Sequence, residues 1–588
     1  MAKKTAKKSP AQTTKKAASA TIEKIDVKKA PEASKTAVKK QAAAKKQETA
    51  KKQTASKKQE TVKKRVPTKK QVNIAPQAAR KKQIKEKAAE AIKEIRKDAG
   101  SQEPQNQENQ SKINVLIAAS EGTPFAVTGG LGEVIGSLPK AIMAEDSSMF
   151  DVRVVLPLYE SIKYEDRAEM EFLGHFNVGL AWREQYCGVF RLTRDNVVYY
   201  FIDNEYYFKR NVPYGYYDDG ERFAFFSKAV LDSIHLMDFQ PQIIHSHDWQ
   251  TALIPVYMKN GYQHLGAQSI FTIHNIEYQG KMGFDIIEDI FGLPKEAKSL
   301  LEYDNCVNLM KAAIESADLV NTVSPTYAAE LRLDYYAKGL APIIRKNEGK
   351  IRGILNGIDT ESYNPATDKS IFCNYDAASI DKKKVNKAEM QRLLNLPVEE
   401  NVPVIAVISR LVSHKGIDIV VPLMEELLSR NVQIVVLGIG ESRYEDYFKW
   451  LQSQYPGKVS TMLCFNQDLA RKIYAGADFF LMPSKAEPCG LAQMIASRYG
   501  TVPIVRKTGG LNDTIKDCSA GEGNGFVFGN CDSHDLMDAI NRGLSVYHQK
   551  EQWEQLVKWV MAVDFSWKKS AKEYEKLYAE LCSVNLAY

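Results

Sequence analysis

The stretch INVLIAAS at residues 113–120, followed by FAVTGGLGEV at residues 125–134, decides the fold. A short, continuous apolar run of this kind is what a parallel strand buried on both faces presents. The glycines behind it lead into a helix, and they let the first backbone N–H groups of that helix approach an anion. Taken alone, the glycines are as consistent with a tight strand-to-helix turn as with a ligand site. An echo adds weight: RKTGGLNDT at residues 506–514 places a second TGGL behind the apolar run VPIVR. Two facing domains that each offer such a loop make an interdomain anion site, beyond the carboxyl ends of the strands where open α/β sheets bind ligands.

Working outward, further apolar runs stand at residues 152–156, 243–245 and 269–273, each near a helix-compatible segment. A second series occupies residues 402–409, 433–438, 479–483 and 502–506. This alternation predicts an α/β protein of two Rossmann-like, doubly wound domains in tandem. The expected division is a first domain at residues 112–370 and a second at 371–588, with the seam in the polar stretch 364–384. A chain of 588 residues also exceeds what one hydrophobic core normally supports.

Residues 1–111 have another texture. They repeat phrases such as KKQETAKKQTASKKQETVKK and contain almost no bulky apolar side chains, which predicts a disordered basic tail and linker. Residues 81–97, rich in alanine and i,i+4 Glu/Lys pairs, predict one short exposed helix within it. Residues 1–112 hold 32 Lys+Arg against 11 Asp+Glu, leaving 48 against 61 in the body. The net charge of +8 therefore averages a strongly basic tail and an acidic body, and the acidic body argues against nucleic acid as its substrate. A solvated tail is the plain reading; affinity for an anionic polymer or surface is the functional one. The eight cysteines lack CxxC or metal-type spacing, and no apolar run approaches the roughly 18 residues that span a bilayer. A cytoplasmic location without membrane insertion is expected, or a plastid if the source is a plant.

Several residues at expected strand ends suit ligand chemistry. In SRLVSHKGID, Arg410 and Lys415 follow a strand and precede a helix, where two fixed cations can stabilise a departing diphosphate. In SKAEPCGLAQ, Glu487 sits on a Pro/Gly turn, able to bind sugar hydroxyls or face a developing positive charge. IIHSHDWQTAL carries His245, His247 and Asp248, but no further ligand set accompanies them, so no metal is assigned.

The ordered series VTGGLGEVIGSLPKA, YYDDGERFAFFSKA, HSHDWQ, TIHN, NTVSPTYA, GILNGID, SRLVSHKG, PSKAEPCGLAQ, RKTGGLNDT and DFSW resembles bacterial glycogen synthases and plant starch synthases over residues 112–586. The resemblance implies a GT-B fold whose C-terminal helix returns to the first domain. It also implies transfer of glucose, with retention, from ADP-glucose or UDP-glucose to the 4-hydroxyl at the non-reducing end of an α-1,4-glucan, with no cofactor.

Carried over by position, the resemblance gives catalytic roles to His247, Arg410, Lys415 and Glu487. Arg410 and Lys415 would hold the diphosphate, Glu487 with Cys489, Gly490 and Leu491 would orient the donor glucose, and His247 would sit near its reacting carbon and 6-hydroxyl. Thr508, Gly509 and Gly510 of the second loop would cradle phosphate oxygens, and Thr128, Gly129 and Gly130 of the first are substrate-binding candidates from their place in the Gly-rich turn. Asn356 would line the sugar cleft, and Asp219 the acceptor side. Val127 stands where the family carries a donor-site lysine. Closure of the cleft would bring Arg410 and Lys415 against the donor, which predicts an open cleft without it. The alternatives are another GT-B transferase and a catalytically weakened glucan-binding homologue; no phosphorylase-type lysine pattern is present.

Overall fold

The computed structural model describes residues 112–583, so the expected tail, with its short helix, lies outside the described residues. Two sheets form the framework of the described chain. The first contains β1 (Ile113–Ala118), β2 (Phe150–Pro157), β3 (Glu171–Leu180), β4 (Arg183–Arg194), β5 (Val197–Asp203), β6 (Ile243–His247), β7 (Gln268–Ile273), β8 (Leu319–Thr322) and β9 (Ile351–Gly353). Their spatial order is β9-β8-β7-β6-β1-β2-β5-β4-β3. The second contains β10 (Val404–Ile408), β11 (Gln433–Leu437), β12 (Val459–Met462), β13 (Phe479–Met482), β14 (Val502–Arg506) and β15 (Phe526–Phe528), in the order β12-β11-β10-β13-β14-β15. All of its pairings are parallel.

Central strands read as unbroken apolar runs because both faces are covered: Val115, Leu116, Ile117 and Ala118 of β1 are fully buried. The first sheet departs from the expected all-parallel winding at one edge, where β3 and β4 run antiparallel, as do β4 and β5. The cause is local. Asp195 and Asn196, between β4 and β5, both have positive φ (50° and 62°), and Ala181, between β3 and β4, has φ 53°. Two-residue turns with positive φ match the twist of a hairpin, and Asp and Asn tolerate that conformation best after glycine.

Six helices position the functional residues: α1 (Gly130–Asp146), α2 (Asp219–Ser233), α3 (Pro325–Glu330), α4 (Ala492–Arg498), α5 (Gly509–Thr514) and α6 (Trp567–Cys582). Strand order reverses around β1 in the first sheet and around β10 in the second. The loops after β1 and β6, and after β10 and β13, therefore open at the two switch points where α/β sheets bind ligands. These strand ends and loops carry the first TGGL, His247 as the last residue of β6, Arg410 with Lys415, and Glu487. No helix among the described residues is long and apolar enough to cross a membrane.

The last helix ties back onto the first sheet. Ile358 N–H donates to the Phe565 carbonyl at 2.8 Å, Asn321 Nδ2 to the Tyr574 hydroxyl at 2.9 Å, and His245 Nδ1 lies 3.0 Å from the Tyr578 hydroxyl. Gly357 makes this return close: a Cβ there would lie 2.6 Å from the Trp567 nitrogen. Arg471 staples the crossing segment, donating to the carbonyl and hydroxyl of Ser362, to Asp368 and to the Tyr499 hydroxyl. Gly357→Val is expected to push α6 away and lower unfolding stability by about 1–3 kcal/mol, read by chemical denaturation.

Candidate active site

The first TGGL loop is built around a buried carboxylate that the sequence reading passed over. Glu121 accepts from Thr128 N and Oγ1, each at 2.6 Å, from Tyr214 Oη at 2.8 Å and from Gly132 N at 3.1 Å. Those bonds stretch the loop across the start of α1. The backbone N–H groups of Gly129, Gly130 and Leu131 are left without a protein acceptor among the described residues. Gly129 has open space around its Cβ position, whereas that of Gly130 faces Leu491 of the second domain at 3.9 Å. Val127 is partly exposed and packs on Gly132.

The second TGGL loop has the same letters and another task. Gly509 N–H donates to Glu330 Oε1 at 3.1 Å, and Gly510 N–H to the Glu487 carbonyl at 3.1 Å. The Thr508 hydroxyl donates to the same Glu330 oxygen at 2.8 Å. A Cβ on Gly509, whose φ is +43°, would stand 1.8 Å from the Glu487 carbonyl oxygen, and one on Gly510 2.2 Å from that of Cys489. The glycines permit backbone contact with the turn that carries Glu487. The expected phosphate cradle at Thr508, Gly509 and Gly510 is thus already filled by protein groups. On this side the N–H groups of Gly490 and Leu491, at the start of α4, have no protein acceptor among the described residues.

Glu487 is buried, and its Oε2 accepts from Lys415 Nζ at 2.6 Å and Ser484 Oγ at 2.8 Å. Gly416, φ +78°, lets the Lys415 loop touch the strand end, since a Cβ there would meet the Pro483 carbonyl oxygen at 2.1 Å. Lys485 N–H bonds the His414 carbonyl at 2.9 Å and so joins the two loops, while Arg506 Nε, at the end of β14, holds the Ser484 carbonyl at 2.9 Å. Burial, then Lys415 and Arg410, hold the His414 pKa below its usual value, a sign that the two cations act on one region.

Arg410 reaches across to the Tyr278 hydroxyl at 3.4 Å, and Thr326 N–H bonds Asp513 at 3.0 Å. Together with Glu330 on Thr508, these contacts bridge the cleft that was expected to stand open. Burial pushes the Cys489 thiol pKa up to about 12, opposed by the backbone N–H of Asn356 in the segment joining the domains. The Oδ1 of Asn356 is buried without a partner among the described residues.

His247 lies at the end of β6, fully buried, with Nδ1 2.9 Å from His274 Nε2 and its own Nε2 unpartnered among the described residues. Burial drives its pKa well below the ordinary imidazole value, so the ring is neutral. His245 is committed to Tyr578 and Thr272 through its two nitrogens. Asp248, at φ 58°, accepts from the backbone of His274 and Asn275, and burial lifts its pKa to about 7.

Asp219 supports a neighbouring wall rather than offering a free carboxylate. It accepts from Gly215 N at 2.6 Å, from Tyr216 N at 3.1 Å and from Arg222. It borders a cavity of about 480 Å³ lined also by Tyr216, Tyr217, Trp249, Tyr278, Gln279 and Lys281. On the opposite domain, Phe465 stands 80% exposed just past the carboxyl end of β12.

Residues 114–346 match the model of the starch synthase catalytic domain, and residues 394–558 that of glycosyl transferases group 1. A glycogen synthase of Geobacillus thermodenitrificans is 46% identical over 477 residues, 80% of this chain and 98% of that protein. One from Desulforamulus reducens is also 46% identical, over 80% of this chain and 99% of its own. The chain belongs to the glycogen/starch synthase family.

The catalytic domain of starch synthase IV from Arabidopsis thaliana, solved with ADP and acarbose, superposes on this synthase with a TM-score of 0.75 at 34% identity, covering 80% of this chain and all of that one. Sucrose-phosphate synthase from Thermosynechococcus elongatus, at 18% identity, 80% and 100% coverage and a TM-score of 0.52, shares the fold. The GT-B architecture and the glycosyltransferase class expected from the sequence are both borne out. Within this synthase the unlike surroundings of the two loops have a measurable consequence. Gly509→Ala is expected to cost about 2–4 kcal/mol of stability, from strained φ and collision with Glu487, whereas Gly129→Ala stays within about 1 kcal/mol, both read by calorimetry.

Proposed function

We propose that this synthase transfers glucose from ADP-glucose to the non-reducing 4-hydroxyl of an α-1,4-glucan with retention of configuration. The observation that carries the reading is the pairing of Lys415 with buried Glu487 beside the open N–H groups of Gly490 and Leu491. The diphosphate sits between those groups and the free N–H groups of Gly129 and Gly130. Arg410 and Lys415 neutralise it as it leaves, in the role a metal ion fills in other transferases. Glu487 and the unpartnered Oδ1 of Asn356 hold hydroxyls of the donor glucose, and His247 Nε2 serves its 6-hydroxyl side. Exposed Phe465 offers a stacking surface to the base. The ADP in the Arabidopsis starch synthase IV structure supports an adenine donor.

The acceptor glucan lies along the cavity walled by Tyr216, Trp249 and Tyr278, whose rings suit the apolar faces of sugars. The glucosyl C1–O bond to phosphate breaks as the acceptor O4 bonds to C1 from the same face, and the 4-hydroxyl proton passes to the leaving phosphate. Orientation of the two substrates supplies much of the rate.

Radiolabelled transfer to glycogen tests this reading, with ADP-glucose and UDP-glucose supplied separately and no added metal. Incorporation is expected from ADP-glucose, with kcat lowered about 10²- to 10³-fold in Lys415→Ala and in Glu487→Gln. No incorporation from either donor by the unmodified protein would overturn it.

The basic residues 1–112 we assign to binding an anionic polymer or surface, on the strength of their charge alone. The full chain is expected to stay on heparin-agarose to higher salt than a chain starting at Ser111. Equal retention of both would sink the assignment.

A further inference from the structure

One half-buried group beside the cleft has no task in the proposed transfer, the imidazole of His274. It follows β7 directly and is held there from below, since the Asp248 carboxylate accepts its backbone N–H at 2.8 Å and that of Asn275 at 3.4 Å. Asp248 keeps a positive φ of 58° in doing so, a conformation that costs a non-glycine residue about 1–3 kcal/mol unless its surroundings impose it. With its backbone held by Asp248, His274 has its ring to one side of His247, at 2.9 Å between Nε2 and Nδ1. On its other side His247 lies against His245, ring centroids 4.2 Å apart. The second nitrogen of His247, Nε2, is buried and has no protein partner among the described residues.

Burial lowers the pKa of His274 to about 3 and that of His247 well below 6.5, so both rings are neutral and each carries one proton. Two nitrogens at 2.9 Å need one proton between them, because two N–H groups or two lone pairs would repel. Two arrangements satisfy this. In one, both rings carry Nδ1–H and His247 shows a bare lone pair at Nε2. In the other, both carry Nε2–H, the tautomer that neutral imidazole side chains favour in water, and His247 shows an N–H. The second arrangement leaves the bare Nδ1 on His274, which is the less enclosed of the two rings.

We propose that His274 is a positioning residue for glucosyl transfer, its Nε2–H donating to His247 Nδ1 and so fixing the tautomer in which His247 presents Nε2–H to a hydroxyl oxygen of the donor glucose. The inference rests on the transfer reading and on the place of His247 in it. A chain of this kind acts as the second partner of a catalytic imidazole does elsewhere: it does not react, but it decides which nitrogen carries the proton.

The test compares His274→Gln, whose amide can supply an N–H to His247 Nδ1, with His274→Phe, which fills the space and supplies none. The glutamine variant is expected to keep kcat within about fivefold of the unmodified enzyme. The phenylalanine variant is expected to lose about 10- to 100-fold in kcat with KM for ADP-glucose within about threefold. Multiple-bond ¹H–¹⁵N correlation spectra of full-length protein labelled at histidine are expected to show Nε2–H on His247, and to lose that pure form in His274→Phe. Nδ1–H on His247 in the unmodified protein, or equal kcat in the two variants, would overturn the proposal. Absence of any transfer by the unmodified protein would instead remove the transfer reading, and the His247 tautomer in the same spectra would still decide whether His274 donates as proposed.

Discussion

The active site depends on a backbone contact that only glycine allows. Gly509 and Gly510 press against the carbonyls of Glu487 and Cys489, at distances where any side chain would collide. That contact fixes the turn after β13, and the turn places Glu487 to receive Lys415 and Ser484. Lys485 then locks the turn to the loop after β10, and Arg506, at the end of β14, holds the turn from the other side. The charged groups of the second domain are therefore rigid before any ligand arrives, the condition under which fixed charges stabilise a transition state most effectively.

The first domain solves the complementary problem with an acid. Glu121 gathers four donors from the first TGGL loop, the start of α1 and Tyr214, and in doing so keeps the loop's remaining N–H groups pointed outward. Glu330 does the reverse across the cleft, occupying the donors of the second loop and joining α3 to α5. Two carboxylates, one buried and one half-buried, thus give two identical tetrapeptides opposite tasks: one loop is an open donor set, the other a shelf and a bridge. Around the neighbouring histidines, burial keeps the rings neutral, so hydrogen bonding rather than charge governs what they present to the cleft.

The sequence alone determined the fold class, because runs such as INVLIAAS and VPVIAVIS are apolar on both faces only where helices cover both sides of a parallel sheet. It also placed Arg410, Lys415, Glu487 and His247 at strand ends, since the turn residues that follow a buried strand are local and legible. The antiparallel edge escaped it although Asp195-Asn196 was a usable hairpin signal. Tertiary structure alone decided the partners of Glu121 and Glu330, which nothing in their neighbours foretells, and the pairing of His274 with His247 across 27 residues. It also decided that the two TGGL loops differ. Sequence records which conformations a segment can adopt; whether a glycine N–H faces an empty cleft or another chain segment depends on what the rest of the fold brings to it.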